Sequence, residues 1–274
     1  MKIETVNITP AMAVQFLLAN TRNRNLNYAR VIQMSDMIVR GEWQFNGSPI
    51  VFDNNGVLVD GQHRLAAIHR ASIACESVII CGVDESTQLT IDTGRPRTFK
   101  DQLTLIGCSN TSAVSALLSR IYSWNLSLEA GDKKMKTRAN INNRPTHKQL
   151  FNLFYEIGQE PLVNAARVSD RLRKHIPIQR TPMAHCHMMF NEISEDDAEN
   201  FAQLLESGSG LSEGHPIYQL RRKIQTDDLK KHPQRRHQHP YIIKAWNYYR
   251  EGQEIRMLSF KPGGAKPEAY PIPR

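Results

Sequence analysis

The stretch Val57-Leu-Val-Asp-Gly-Gln-His-Arg-Leu-Ala-Ala67 is an apolar run that stops at Asp60-Gly61 and restarts as a helix. A strand that breaks at a glycine and turns directly into a helix leaves backbone N–H groups pointing outward at the positive end of the helix dipole. Such a helix start favours anions. His63 and Arg64 lie on its first turn. Because a guanidinium offers phosphate forked, charge-assisted hydrogen bonds, the pattern predicts a phosphate site.

The string Asp60-Gly61-Gln62-His63-Arg64 resembles the signature of the ParB/sulfiredoxin superfamily, whose members hold nucleotide phosphates between a strand and a helix. It is also similar to the DGQHR-type proteins found in DNA-modification loci and in phages. The resemblance covers residues 1–107 and implies an α+β fold class, with a ParB/sulfiredoxin-like α/β domain followed by an all-α domain. It implies a phage or mobile-element protein that binds a nucleoside triphosphate, ATP or CTP, through Gly61, Gln62, His63 and Arg64.

Gln62 marks a departure from that superfamily. The peroxiredoxin-repair members of the superfamily carry a cysteine immediately before His-Arg. This chain has Gln62 in that place, which excludes their redox activity. ParB-like clamps usually carry Glu-Arg-Arg there, so their CTP-switching cycle is not expected. What the resemblance still implies is nucleotide or phosphate recognition.

Two further loops are expected at the same ligand. In the superfamily an arginine of the loop after the first helix reaches the ligand, and Arg22 or Arg24 occupies that place here. A second basic loop runs from residue 92 to 98 and adds Thr93, Arg95, Arg97 and Thr98. Three basic loops at one helix start would balance a triphosphate. A solvated turn is the alternative for Arg95 and Arg97.

Asp60 and His63 are the candidate catalytic residues. Asp60, together with Asp92, is placed to hold Mg²⁺ or to orient an attacking hydroxyl beside the γ-phosphate. The structural alternatives are that Asp60 caps the motif helix and that His63 bonds a neighbouring carbonyl. The competing function is therefore an ATP-dependent kinase or nucleotide hydrolase that acts on a small molecule or a modified base; a nuclease is the weakest alternative.

Charge is unevenly distributed along the chain. Residues 1–127 hold 11 Lys and Arg against 10 Asp and Glu, whereas residues 128–274 hold 24 against 17, so the second part carries +7 of the net +8. A basic half predicts a polyanion partner, here DNA, with a merely soluble basic surface as the alternative. The candidate DNA-binding residues are Lys133, Lys134, Lys136, Arg138 and Arg144, then Lys230, Lys231, Arg235 and Arg236 with His232, His237 and His239.

Composition and patterning divide the chain into a nucleotide-binding domain at 1–107, a helical basic domain at 108–260 and a tail at 261–274. Apolar residues make up 40% and charged residues 23%, as in a soluble globular protein. No apolar stretch approaches the roughly 18 residues of a membrane span, and the first residues do not form a signal peptide. We therefore expect a cytoplasmic protein without a membrane partner, and we leave a homodimer open.

Local signals predict the individual elements. Thr9 and Pro10 begin a helix that runs to Leu18, a second helix ends near Arg40, and the Asn-Gly turn at 55–56 joins two strands into a hairpin. A buried strand at 76–83 and a helix at 99–105 follow, and from residue 109 the pattern is almost entirely helical. The last two helices are expected to pack through Leu220, Ile224, Ile242, Trp246 and Tyr249. His185 and His187 stand at i and i+2, which does not suit a shared zinc ion on one helix face.

Overall fold

A computed structural model describes residues 1–23, 25–89, 97–131, 144–229, 238–263 and 267–274. Within these residues the chain is a mixed α+β protein with one four-stranded sheet and eleven α-helices. It forms two compact units, unit 1 at Met1–Pro96 and unit 2 at Arg97–Arg274. None of the helices in the described residues is long and apolar enough to cross a membrane.

Unit 1 contains the whole sheet and three helices. Its strands are ordered β1-β4-β2-β3, with β1 and β4 antiparallel, β2 and β4 parallel, and β2 and β3 joined as an antiparallel hairpin. The elements of unit 1 are β1 (Lys2–Ile8), α1 (Pro10–Leu18), α2 (Tyr28–Val39), β2 (Pro49–Asp53), β3 (Leu58–Asp60), α3 (Gln62–Ala71) and β4 (Cys75–Val83). The predicted hairpin and both predicted N-terminal helices are confirmed.

The core of unit 1 fixes the position of α3. Leu65 and Ile68 of α3 are fully buried, as are Ile50 of β2 and Leu58 of β3, and all four belong to one apolar cluster. Burying a Leu or Ile side chain contributes about 1.5–3 kcal/mol. Burial of Leu65 and Ile68, which follow the first turn of α3, therefore holds that turn at the end of β3.

Strand β1 was not predicted. Its seven residues are mostly exposed, and only Ile8 is fully buried. β1 is an edge strand that pairs with β4 alone, over the register Lys2↔Cys81 to Ile8↔Cys75. Because an edge strand with one side toward solvent buries few side chains, its hydrophobic pattern is too weak to identify it.

The described residues of unit 2 are mostly helical, so the helical pattern predicted from residue 109 onward is confirmed. The elements of unit 2 are α4 (Phe99–Leu105), α5 (Thr111–Glu129), α6 (His147–Ile157), α7 (Gln159–Leu172), α8 (Arg180–Ile193), α9 (Glu195–Ser207), α10 (Pro216–Leu229) and α11 (Gln238–Arg250). The sequence predicts helix α4 as part of the first domain, with the domain boundary at residue 107. Phe99 and Leu103 of α4 instead pack in a cluster with α5, so α4 lies in unit 2.

The core predicted between the last two helices is confirmed. Leu220, Ile242 and Trp246 are fully buried, Ile224 is nearly so, and Tyr249 is partly buried against them. The segment predicted only as a tail packs on α11 where it is described. There Lys244 Nζ lies 2.6 Å from Glu268 Oε1, and Asn247 Nδ2 donates to the carbonyl of Ile272 at 2.9 Å.

Candidate functional site

The junction of β3 and α3 requires a glycine. Gly61 precedes the first residue of α3 with φ 105° and ψ 2°, and it makes no side-chain cap. A Cβ atom at position 61 would clash with Ile50 Cδ1 and would lie 3.2 Å from Ile50 Cα. Residues with a Cβ atom rarely adopt this φ value, and the fully buried side chain of Ile50 leaves little room for a Cβ atom. The position therefore favours glycine for two reasons. The predicted strand–glycine–helix junction is confirmed.

Asp60 and Arg64 form an ion pair across the first turn of α3. Arg64 Nη2 lies 2.7 Å from Asp60 Oδ2, and Asp60 Oδ1 accepts the N–H of Gly61 at 2.6 Å. The side chains are 15% exposed for Arg64 and 28% for Asp60. Arg64 is therefore paired and mostly buried at the start of α3, because the carboxylate four residues earlier draws the guanidinium back over the turn.

His63 is held by the segment that follows α1. The backbone N–H of Asn27 donates to His63 Nε2 at 3.0 Å. A ring nitrogen that accepts a hydrogen bond carries no proton, so neutral His63 holds its proton on Nδ1. The structural alternative predicted a hydrogen bond from His63 to a carbonyl. The ring instead accepts a hydrogen bond from the backbone N–H of Asn27. Toward a phosphate, the donor of neutral His63 is therefore Nδ1–H.

A chain of amide side chains connects the same segment to the motif. Asn20 Nδ2 donates to Gln62 Oε1 at 3.0 Å, and Asn23 Nδ2 donates to Asn20 Oδ1 at 2.7 Å and to the carbonyl of Leu58 at 2.6 Å. Gln62 is only 5% exposed, so its amide serves this network inside unit 1. The predicted ligand role of Gln62 is thus replaced by a structural one, and Asn20, Asn23 and Asn27 were missed although the segment is rich in asparagine.

The arginine expected from this segment has an acidic partner. Arg22 Nη1 lies 2.9 Å from Glu85 Oε2, with both side chains more than half exposed. The hydrogen bond to Glu85 raises the pKa of Arg22 above its ordinary value. Arg24, the other candidate of this segment, lies outside the described residues, as do Asp92, Thr93 and Arg95 of the second basic loop.

Two residues of that second loop are described, and both belong to unit 2. Arg97 is exposed. Thr98 is the N-cap of α4: its hydroxyl accepts the N–H of Asp101 at 3.3 Å and donates to the Asp101 carboxylate at 2.7 Å. The side chain of Thr98 predicted to bind phosphate is therefore engaged in a capping box.

Most predicted DNA contacts lie outside the described residues, namely Lys133, Lys134, Lys136, Arg138, Lys230, Lys231, His232, Arg235, Arg236 and His237. Arg144 is exposed, consistent with a surface position. His239 is 2% exposed and bonded within the core of unit 2, so the prediction that it contacts DNA is wrong.

The charge asymmetry follows the unit boundary. Unit 1 holds 8 Lys and Arg against 9 Asp and Glu, a balance of −1, and unit 2 holds 27 against 18, a balance of +9. In the part of the chain that the structure describes, no group of three or more His, Cys, Asp or Glu side chains is arranged to hold a metal ion. The predicted pair Asp60 and Asp92 stays a prediction, since Asp92 falls outside that part.

No protein-family model, no curated protein and no solved structure matches this chain. The resemblance to the ParB/sulfiredoxin superfamily therefore stays a prediction that depends on residues 60–64 and on their position between a strand and a helix.

Proposed function

We propose that unit 1 binds the phosphate groups of a nucleoside triphosphate, ATP or CTP, at the start of α3, in a protein that associates with DNA through unit 2. The observation that supports it is the junction at Gly61. A glycine required by both backbone and space directs the chain from β3 into α3, and a histidine and an arginine follow on the first turn. Helix starts of this kind attract anions.

The ion pair of Arg64 with Asp60 is compatible with this proposal on one condition. A guanidinium has five N–H donors, so a phosphate oxygen shares Arg64 with the carboxylate instead of replacing it. The negative charges of Asp60 and of the phosphates then repel each other. Mg²⁺, which binds one or two carboxylates together with substrate phosphates, relieves that repulsion with Asp60 as its protein ligand. Nucleotide binding is therefore expected to require Mg²⁺.

The DNA association is supported by charge. Unit 2 carries the whole positive excess of the chain, while unit 1 is close to neutral. Lys and Arg that neutralise phosphates release counterions, so the affinity for DNA is expected to fall steeply with salt. A filter or fluorescence assay at low salt that shows no binding of duplex or single-stranded DNA refutes this half of the proposal and leaves the nucleotide half untouched.

The nucleotide half is tested by thermal unfolding with ATP, CTP, GTP and UTP, each with and without Mg²⁺. A ligand at 100 times its dissociation constant adds about 2.7 kcal/mol of stability. We expect one Mg-nucleotide to raise the melting temperature of the protein and of the control Arg70→Gln, whose arginine is exposed at the far end of α3. Arg64→Gln is expected to abolish that increase. The absence of an increase with all four nucleotides contradicts the proposal.

A further inference from the structure

Strand β1 leaves one edge of the sheet without a neighbouring strand. In the described residues it pairs with β4 alone, and the strand order β1-β4-β2-β3 places it at the end of the sheet. Its residues from Lys2 to Thr5 are all exposed, and Ile3 is 59% exposed. The outer side of an edge strand carries backbone N–H and C=O groups that can pair with a further strand. The edge of β1 therefore has the backbone chemistry of a docking surface for an extended chain.

The features by which proteins commonly protect such an edge are missing from β1. Its seven residues contain no proline, and its register with β4 runs without a shift from Lys2↔Cys81 to Ile8↔Cys75, so no β-bulge turns the edge away. A lysine on an edge strand also repels other strands. Here Lys2 Nζ lies 2.8 Å from Glu4 Oε2, so the two charges compensate each other on the same face of the strand. The edge therefore carries no net charge that would keep a second strand away.

The order of the charges on β1 selects one way of pairing it with a second copy of itself. Residues that lie directly opposite each other in an antiparallel pair share a face of the sheet, so two identical strands related by a two-fold axis place one residue opposite its own copy. With Lys2 or Glu4 at the axis, like charges would lie opposite each other, which is destabilising. With Ile3 at the axis, each Lys2 lies opposite Glu4 of the second copy. No other residue of β1 at the axis brings opposite charges together.

We propose that this protein self-associates through β1, with two copies paired antiparallel about Ile3. The ion pair of Lys2 with Glu4 inside each copy is replaced by one between the copies, so no charge loses its partner. The gain comes from the backbone hydrogen bonds of the two edges and from the exposed Ile3 side chains, which cover each other. The two four-stranded sheets become one continuous sheet. The proposal concerns β1 alone and does not depend on nucleotide or DNA binding.

The association is expected to be weak. β1 is a single strand of seven residues, and interfaces of small area are typical of transient complexes. We therefore expect an equilibrium between monomer and dimer that depends on protein concentration. Sedimentation equilibrium of the full chain over a wide concentration series measures it, and the expected result is a mass that rises from that of the monomer toward twice that value. A wild type that remains monomeric at all concentrations overturns the proposal.

Charge reversal on β1 tests the register. In Glu4→Lys, each Lys2 lies opposite a lysine of the second copy, and in Lys2→Glu, each Glu4 lies opposite a glutamate. Both single variants are therefore expected to dimerise at least about tenfold more weakly than the wild type. The control Glu129→Lys makes the same change in net charge at an exposed residue of unit 2 and is expected to leave the association unchanged.

Two further samples distinguish the proposed register from a general effect of charge. The double variant Lys2→Glu, Glu4→Lys exchanges the two charges and is expected to dimerise as the wild type does. An equimolar mixture of the two single variants is expected to regain the association as a heterodimer, because each lysine of one chain lies opposite a glutamate of the other. Association that the single variants retain, or that the double variant or the mixture fails to regain, overturns the proposal.

Cysteine cross-linking tests the position of the axis. Ile3 and Thr5 are both exposed and lie on the same face of β1. With Ile3 at the axis, the two copies of residue 3 have Cα atoms roughly 4.5–5.5 Å apart, within reach of a disulfide, whereas those of residue 5 are more than about 13 Å apart. Under mild oxidation Ile3→Cys is expected to form a covalent dimer and Thr5→Cys is not. A covalent dimer that forms as readily in Thr5→Cys as in Ile3→Cys overturns the proposal.

Discussion

Acid is expected to destabilise unit 2 through His187 of α8. Both ring nitrogens of His187 are buried without a hydrogen-bond partner in the described residues, and the residue is 2% exposed. Burial lowers its pKa from 6.5 to about 4; nearby Glu199 acts in the opposite direction, and Arg171 adds to the decrease. The folded state therefore holds His187 neutral at a pH where the unfolded chain is already protonated.

The size of the effect follows from these two pKa values. A folded-state pKa below the unfolded one means that stability is fully present above pH 6.5 and is lost as the pH falls toward 4. At 1.36 kcal/mol for each pKa unit, the full loss is about 3 kcal/mol, and the part lost between pH 7 and pH 5 is about 2 kcal/mol. Below pH 4 the contribution of His187 no longer changes.

The assay is urea unfolding of the wild type and of His187→Leu at pH 7, 6 and 5. Because the ring nitrogens make no hydrogen bond, leucine is expected to retain or raise the stability at pH 7. At pH 5 it is expected to exceed the wild type by about 2 kcal/mol more than at pH 7. The control His175→Gln changes a half-exposed histidine and is expected to keep the acid loss. An identical pH dependence in His187→Leu and the wild type refutes the reasoning.

Three further results are expected. Gly61→Ala is expected to destabilise the protein by about 2–4 kcal/mol in urea unfolding, because it adds a strained backbone to a clash with Ile50, and an effect below about 1 kcal/mol contradicts the assigned junction. Thr98→Ala is expected to cost about 1 kcal/mol by removing the N-cap of α4, with no change in nucleotide affinity; a loss of affinity restores Thr98 as a phosphate ligand. Asp60→Ala is expected to remove the dependence of nucleotide binding on Mg²⁺, because it removes both the carboxylate that repels the phosphates and the ligand of the metal; binding that still requires Mg²⁺ contradicts this role of Asp60. Steady ADP release by the wild type that this variant loses while it still binds nucleotide indicates a kinase or hydrolase.

The elements of the fold could be predicted largely from local signals. Thr9, Thr98 and Ser194 each accept a backbone N–H at the start of a predicted helix, and such caps depend on only a few neighbouring residues. Strand β1 and the assignment of α4 to unit 2 depend instead on which distant residues bury them. A sequence pattern carries little of that information.

In the candidate site, too, the features set by neighbouring residues could be predicted and those set by distant residues could not. The glycine at the start of α3 could be predicted, because a strand that turns directly into a helix demands it. The burial of Gln62 and the contact of Asn27 with His63 depend on where the segment after α1 lies, which no local spacing determines. The ion pair of Asp60 with Arg64 did have a signal, since opposite charges four residues apart meet on one helical turn.

His239 illustrates how composition can mislead. It stands at the end of a basic run, and its charge type suggested a contact with DNA. The apolar residues after it, Tyr241, Ile242 and Ile243, are buried in α11 and carry His239 into the core with them. A histidine adjoining a buried helical pattern is therefore better assigned to the core than to the basic run before it.

The most direct test of the account compares the wild type with Arg64→Gln and Arg70→Gln in the presence of saturating Mg-ATP and Mg-CTP. The account predicts that at least one of the two raises the melting temperature of the wild type and of Arg70→Gln, and that Arg64→Gln shows no increase although it folds. Equal increases in all three proteins, or none in any of them, would contradict the assignment of the start of α3 as the phosphate site.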